Sequence, residues 1–393
     1  MNTNRLRISK YLLRWVIPMF LLVVILGCFF VKRKTNKPII IGFASQLTGR
    51  QAELGVQERN GVQLAVEKIN SSGGIDGRKI QLMTRDDFGI PEKAKIVDSE
   101  LIKEGAVAII GHTTSEQTLA GLKVTNPAKV VMIGPTVSTA ELSNLDDYFF
   151  RVYPSFEDGF QIFSRYIYEK MNITQLAIIY DIDNYAYSNR YCKNFGDRFE
   201  TLGGDITGEA KFSSIAKPDF FPLLSKLREA KAEGLLIIAS DIDTAFIAQR
   251  ARLMGWKVAL FTSSWSATDK LIKIGGKAVE GLIIEQAYAL SSQIPTFNDF
   301  KLCYEDRFGN VPSYGATLAY DAAMVLAAAL KKTEGKAKGL KQALINTTDF
   351  QGVMGTFSFN QFGDVQRPLY LSTIRNGKFI NIDMLNYSGH GGE

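Results

Sequence analysis

The sequence predicts an α/β protein of two lobes, each a mostly parallel sheet with helices on both faces. Three observations carry this. Short apolar, β-branched runs alternate with stretches of helical periodicity. That rhythm occurs twice, with an aromatic break at Phe149-Phe150-Arg151-Val152-Tyr153-Pro154. The chain's 393 residues, 46% of them apolar, suffice for two cores of ordinary size.

The first unit sets the pattern. Ile39-Ile40-Ile41-Gly42-Phe43 is too short for a helix and reads as a buried strand. After a turn at Thr48-Gly49, Val62, Leu64, Ala65, Val66 and Ile69 recur at helical spacing. Asn70-Ser71-Ser72-Gly73-Gly74 stops that helix. Lys79-Ile80-Gln81-Leu82-Met83 is the next strand. Strand, helix and strand in this order make a right-handed crossover. Ligands of such sheets lie beyond the C-terminal strand ends, which here places residues 45–55 at the functional edge.

The rest of the first lobe repeats the unit. A helix is predicted over 91–101 and a strand over 107–111 that runs into His112-Thr113-Thr114-Ser115-Glu116. A helix over 119–124 leads to a strand over 130–134, followed by Pro135-Thr136-Val137-Ser138-Thr139. Two successive strand ends therefore deliver hydroxyl-rich loops to one edge.

In the second lobe, helices are expected over 160–171, 190–202 and 245–254, and strands over 176–180, 235–239 and 258–261. The strand-end loops are Asp181-Ile182-Asp183-Asn184-Tyr185, Ser240-Asp241-Ile242-Asp243 and Thr262-Ser263-Ser264-Trp265. Residues 281–284 head back across. Helices over 295–307 and 316–330 follow, the latter apolar on nearly all faces and so buried. A hairpin over 369–382 turns at Asn376-Gly377.

The +6 net charge belongs to the N-terminus. Of 46 Lys and Arg residues, eight lie in residues 1–37, which hold no acid; the remaining 38 face 40 acidic residues. Nothing in that balance points to nucleic acid as a partner. The apolar run over 15–31, flanked by positive charge, reads as an export signal or a membrane anchor. Its end, Ile25-Leu26-Gly27-Cys28, resembles a bacterial lipoprotein cleavage box with Cys28 as the lipidated residue; lipidation and an uncleaved anchor both stay open. Either way the globular part is tethered outside the cytoplasm. Cys192 and Cys303, in different lobes, are expected to be free buried thiols.

The chain holds two histidines, His112 and His390, and no Gly-x-Ser-x-Gly, HExxH, Cys-x-x-Cys, phosphate-loop or GxGxxG pattern. No nucleophile-and-base set, metal cluster or cofactor motif is present, so an enzyme is not expected. His112 reads as a structural donor at a strand end, and Asp86-Asp87 as a turn rather than a metal pair. Polar loops at strand ends of two lobes suit a small-molecule cleft.

The chain resembles the branched-chain amino-acid-binding proteins of bacterial ABC transporters. The motifs that carry the resemblance are Gly42 with Thr48-Gly49, Asn60-Gly61, Ile69-Asn70 with Gly73-Gly74-Ile75-Asp76-Gly77, Asp86-Asp87, Ile110-Gly111-His112, Ile133-Gly134-Pro135-Thr136, Glu141-Leu142 and Ala278-Val279-Glu280-Gly281, over residues 39–382. It implies the type I periplasmic-binding-protein fold, with three interlobe crossings near Tyr153-Pro154, Gln286-Ala287 and Tyr370-Leu371. Lobe one is then 38–153 plus 288–370, and lobe two 154–287 plus 371–387, with an N-terminal segment 1–37 and a tail 388–393. The resemblance places a ligand carboxylate at Ser115, with Thr114 beside it, and an ammonium at Thr136 and Ser138. It places the side-chain pocket at Leu54 and Tyr185. Where the family has a tyrosine and an acid in lobe two, this chain has Ser240 and Ser264, with Trp265 adjacent. Asp241, Asp183 or Glu285 supplies the acid from nearby, or the ligand is not a standard α-amino acid; Asp241 and Asp243 equally read as helix caps.

The function these readings imply is solute binding for an ABC importer. An amino acid with an apolar or aromatic side chain, or a related small carboxylate, is held by hinge closure and delivered to permease subunits in the membrane. A ligand sensor of the same fold, reporting to a membrane kinase or receptor, is the alternative.

Overall fold

In the computed structural model, which describes residues 37–49, 52–286, 294–365, 367 and 369–385, the opening apolar run forms β1 (Ile39–Ser45). Helix α1 (Ala52–Ser71) then carries the chain back to β2 (Ile80–Asp86). The alternation continues through α2 (Pro91–Lys103), β3 (Ala108–Gly111), α3 (Ser115–Ala128), β4 (Val131–Gly134) and β5 (Phe149–Arg151). These five strands make one parallel sheet in the order β2-β1-β3-β4-β5.

Helix α4 (Phe156–Arg165), extended by a π-turn over Tyr166–Lys170, opens the second half. It leads to β6 (Gln175–Asp181), α5 (Tyr185–Thr201), β7 (Asp205–Phe212), α6 (Phe220–Glu229), β8 (Gly234–Ile238), α7 (Asp241–Leu253), β9 (Ala259–Thr262), α8 (Asp269–Gly275) and β10 (Ile283–Gln286). Helices α9 (Pro295–Phe308), α10 (Tyr314–Lys332) and α11 (Leu340–Ile345) follow, then the small hairpin β11 (Phe350–Gly352) and β12 (Gly355–Phe357). The hairpin β13 (Leu369–Arg375) and β14 (Lys378–Leu385) closes the second sheet, whose order is β14-β13-β10-β9-β8-β6-β7.

Both sheets use the same winding. β1 and β6 each sit inside their sheet, with the following strand on one side and the later strands on the other. The order therefore reverses beside β1 and beside β6, and the strand ends open into a crevice at each reversal. In the second sheet β13 runs antiparallel to both β10 and β14.

The first sheet packs against α1 and α10. Fifteen residues of α10 are buried, as its all-round apolar pattern requires. The two helices touch closely because Gly61 has no side chain: a Cβ there would lie 2.0 Å from the Ala316 carbonyl oxygen. In the second sheet an aromatic ladder of Tyr191, Phe195 and Phe199 along α5 packs on β6 and β8, with Phe163 of α4 edge-on to Phe195.

Cys192 and Cys303 are free; Cys192 is buried, but Cys303 is exposed on α9, contrary to the expectation that both are buried, because it lines an open groove with Leu64 and Lys68 of α1 and Tyr320 and Met324 of α10. Among the described residues no helix is long and apolar enough to cross a membrane. The N-terminal run with Cys28, the crossing residue Ala287, and the tail with His390 lie outside the described residues.

Candidate functional site

The C-terminal edges of the two sheets face each other across a narrow cleft. The first sheet contributes Leu54 on α1, Thr113, Thr114 and Ser115 after β3, and Thr136 and Ser138 after β4. The second contributes Asn184, Tyr187, Ser264 and Trp265, and Tyr314 of α10 completes the lining. None of these side chains is charged. The cavity between them has a volume of only about 20 Å³. The lobes are thus drawn close together.

Seven of the ten residues expected at the site line this cleft: Leu54, Thr114, Ser115, Thr136, Ser138, Ser264 and Trp265. Three do not. Tyr185 is 55% exposed, at the first position of α5. Tyr187 takes the cleft-facing place and meets Trp265 edge-to-face, with ring centroids 6.0 Å apart. The helix begins at Tyr185 rather than near Arg190, and two residues along a helix turn a side chain by about 200°. Ser240 caps α7: its hydroxyl accepts from the Asp243 backbone N–H at 3.4 Å and donates to Asp243 Oδ2 at 2.9 Å. Asp241 is buried, accepting from Thr268 Oγ1 at 2.6 Å and from the Ile242 N–H at 2.7 Å. Burial raises its pKa.

The other two acids considered for an ammonium are also held within their own lobe. Asp183 accepts from Ser213 and from the Ile215 N–H at 2.8 and 2.9 Å. Glu285 is buried, its pKa raised to about 7 by burial, and accepts from the Tyr191 hydroxyl at 2.6 Å.

Ser115 begins α3, and Thr114 in the cap position makes no side-chain cap bond. A helix start of this kind directs N–H groups and positive dipole character into the cleft, which suits a carboxylate.

Beneath the floor lies a polar network that sequence reasoning missed. Glu58 of α1 is buried, and its two oxygens accept from Thr113 Oγ1 at 2.8 Å and Thr136 Oγ1 at 2.6 Å. Thr136 Oγ1 also lies 2.8 Å from the Thr113 carbonyl oxygen, and Ser45 is hydrogen-bonded to Thr113. Burial raises the Glu58 pKa to about 7, against the opposing pull of the two hydroxyls. His112 stands behind this group, with Nδ1 2.6 Å from Asp87 Oδ2 and Nε2 3.2 Å from Asp98 Oδ2. Burial alone would push the imidazolium pKa down, but the two carboxylates outweigh it and raise it to about 10. His112 is therefore a structural cation at a strand end. Asp86 and Asp87 hold the turn: Asp86 accepts from the Leu47 and Phe88 N–H groups, and Asp87 from that of Gly89. Among the described residues no cluster of His, Cys, Asp and Glu could hold a metal ion.

Two doubly wound halves with a polar, uncharged cleft between their strand ends define a two-lobed binding protein for a small molecule. The model of the periplasmic binding protein family matches residues 38–378, and the chain belongs to that family. The Leu/Ile/Val-binding protein homolog 3 of Brucella melitensis is 24% identical over 355 residues, covering 88% of this chain and 94% of its own. The amino acid binding protein of Pseudomonas aeruginosa is 26% identical, covering 85% and 89%. Among solved structures, the leucine binding protein LivK of Thermotoga maritima superposes with a TM-score of 0.82 at 23% identity, covering 89% of this chain and 99% of that one. The solute binding protein of Rhodopseudomonas palustris BisB5, solved with 3,4-dihydroxy benzoic acid, gives 0.80 at 24% identity, covering 90% and 98%. The fold is thus the type I periplasmic-binding-protein fold, and membership in the family implies an extracytoplasmic location.

Proposed function

We propose that the protein is the solute-binding component of an ABC importer and captures an amino acid with an apolar or aromatic side chain, or a related small carboxylate, by hinge closure. The observation that carries this reading is the cleft itself. The start of α3 at Ser115 suits a carboxylate, and the hydroxyls of Thr136 and Ser138 suit the other polar end. Leu54, Tyr187 and Trp265 supply an apolar wall. Relatives described as amino-acid-binding support the same ligand class.

On this reading the ligand docks on lobe one (38–153 plus 288–370), and lobe two (154–287 plus 371–387) closes over it. Ligand burial stabilises the closed form by its differential affinity, and permease subunits read that form. β13, which starts at Leu369 within the second sheet, supports the third crossing. The segment before residue 38 tethers the protein to the membrane, through a lipid on Cys28 or as an anchor, and the protein catalyses no reaction. Calorimetry of the full-length protein with a panel of amino acids and aromatic acids tests this. Binding of at least one member supports it, and no binding across the panel overturns it.

A further inference from the structure

We propose that Glu58 is the counter-charge for the ligand's ammonium group, a positioning residue that acts through the hydroxyls of Thr113 and Thr136. The inference rests on the amino-acid-binding reading above and deepens it. The need is plain: no lining residue is charged, and Asp183, Asp241 and Glu285 are each engaged within their own lobe. Glu58 lies directly behind the two threonines that line the cleft, with one oxygen on each.

The hydrogen count decides what Thr136 offers the ligand. A hydroxyl has one hydrogen and two lone pairs. When Glu58 is ionised, Thr136 donates that hydrogen to Oε1 at 2.6 Å. When Glu58 is protonated, its own proton goes to Thr136, whose hydrogen turns to the Thr113 carbonyl oxygen, 2.8 Å away. In both states Thr136 has no hydrogen left for the cleft and presents only a lone pair. Its ligand partner must therefore be a donor, and an ammonium gains a buried carboxylate one hydroxyl behind. A carboxylic acid lacking an amino group gains nothing there.

A cation placed over this pair lowers the Glu58 pKa. Because that pKa stands at about 7 without it, binding near neutral pH releases a proton. The groups facing Glu58 are Asp87 at the end of β2, His112, Thr113 and Ser45 at strand ends, Thr136, and Tyr314 of α10. His112, raised to about 10, stays protonated from pH 6 to 8, and Tyr314, raised well above 10 by burial, stays neutral, so neither supplies the proton.

The test is calorimetry of the full-length protein with paired probes, L-leucine against 4-methylpentanoate and L-phenylalanine against 3-phenylpropanoate, in buffers of different ionisation enthalpy. We expect the amino acid of a pair to bind at least about tenfold tighter than its deaminated partner, with proton release and affinity rising from pH 6 to 8. Glu58→Gln abolishes the proton release and reduces the preference. Thr136→Val, which keeps shape and removes the relay, does the same and serves if the first variant does not fold. Equal affinity within a pair, absence of proton release, or release unchanged in these variants overturns the role of Glu58 while leaving ligand binding standing. Failure of every probe to bind overturns both readings.

Discussion

Glu116 on α3 reaches across the cleft and accepts the backbone N–H of Ala186 on α5 at 2.9 Å. It joins one sheet's ligand edge to the first turn of α5, the helix that follows β6 of the other sheet. Neighbouring bridges repeat the theme: Thr139 donates to the Ala186 carbonyl oxygen at 3.0 Å, and Arg190 pairs with Glu141. A carboxylate at a helix start is favourable both as a cap and against the helix dipole. The bond spans the two lobes, so its energy enters the closed form alone.

Glu116→Ala is therefore expected to weaken ligand binding by about 1 kcal/mol, roughly fivefold, with the loss appearing mainly in the dissociation rate. Stopped-flow dissociation measures it. An unchanged off-rate would show that the contact does not hold the closed form.

Trp265 and Tyr187 form the aromatic side of the cleft, edge-to-face at 88°. The chain has three tryptophans, Trp15, Trp256 and Trp265; of the two among the described residues, Trp265 lines the site and Trp256 does not. Ligand-induced change in intrinsic fluorescence should vanish in Trp265→Phe and persist in Trp256→Phe. Truncation to Trp265→Ala should cost about tenfold or more in affinity, in line with loss of a buried aromatic contact. Persistence of the signal in Trp265→Phe would place the ligand elsewhere.

His112 is enclosed by Asp87 and Asp98, all three fully buried. Its removal leaves two carboxylates without their cation. His112→Ala should destabilise the protein by about 3–5 kcal/mol, read as a lower denaturant midpoint. A change below about 1 kcal/mol would mean the carboxylates find other partners.

Glu285 carries a pKa raised from 4.5 to about 7 by burial, so between those values the native state holds a proton that the unfolded state lacks. Its contribution to stability is full below pH 4.5 and is lost as pH rises through 7. His112, raised from 6.5 to about 10, has the same sign, full below 6.5 and lost as pH rises through 10. Thermal melts of wild type and Glu285→Gln from pH 4.5 to 8 should therefore diverge. The wild type loses on the order of 2 kcal/mol relative to the variant across pH 4.5–7. A constant difference across that range would contradict burial of an ionisable Glu285.

What the sequence made legible follows from periodicity. β1, β3 and β4 of the first sheet are short, apolar and buried, so they and the loops that follow them were readable, whereas the three-residue β5 was read only as a crossing segment. The strand β7 (Asp205–Phe212) was missed because its edge position leaves only two of its eight residues buried, and polar residues interrupt the apolar run. Helices α6, α8 and α11 are ten residues or fewer, too short for the pattern to stand out. The lobe-one side of the site came through because hydroxyl-rich loops directly follow strands. Tyr187 did not, since the start of α5 fixes which of two tyrosines turns inward. Glu58 was invisible for another reason: its partners lie 55 and 78 residues away, and an acid on a helix ordinarily faces solvent.

In the proposed function, hydroxyl-bearing loops of the first sheet grip a small carboxylate-bearing ligand. Calorimetry of the full-length protein, wild type against the double variant Ser115→Ala with Ser138→Ala, tests it most directly. The prediction is micromolar or tighter binding of an apolar or aromatic amino acid, weakened about a hundredfold in the variant as two hydrogen bonds to charged ligand groups are lost. Equal affinity in the two proteins would contradict it.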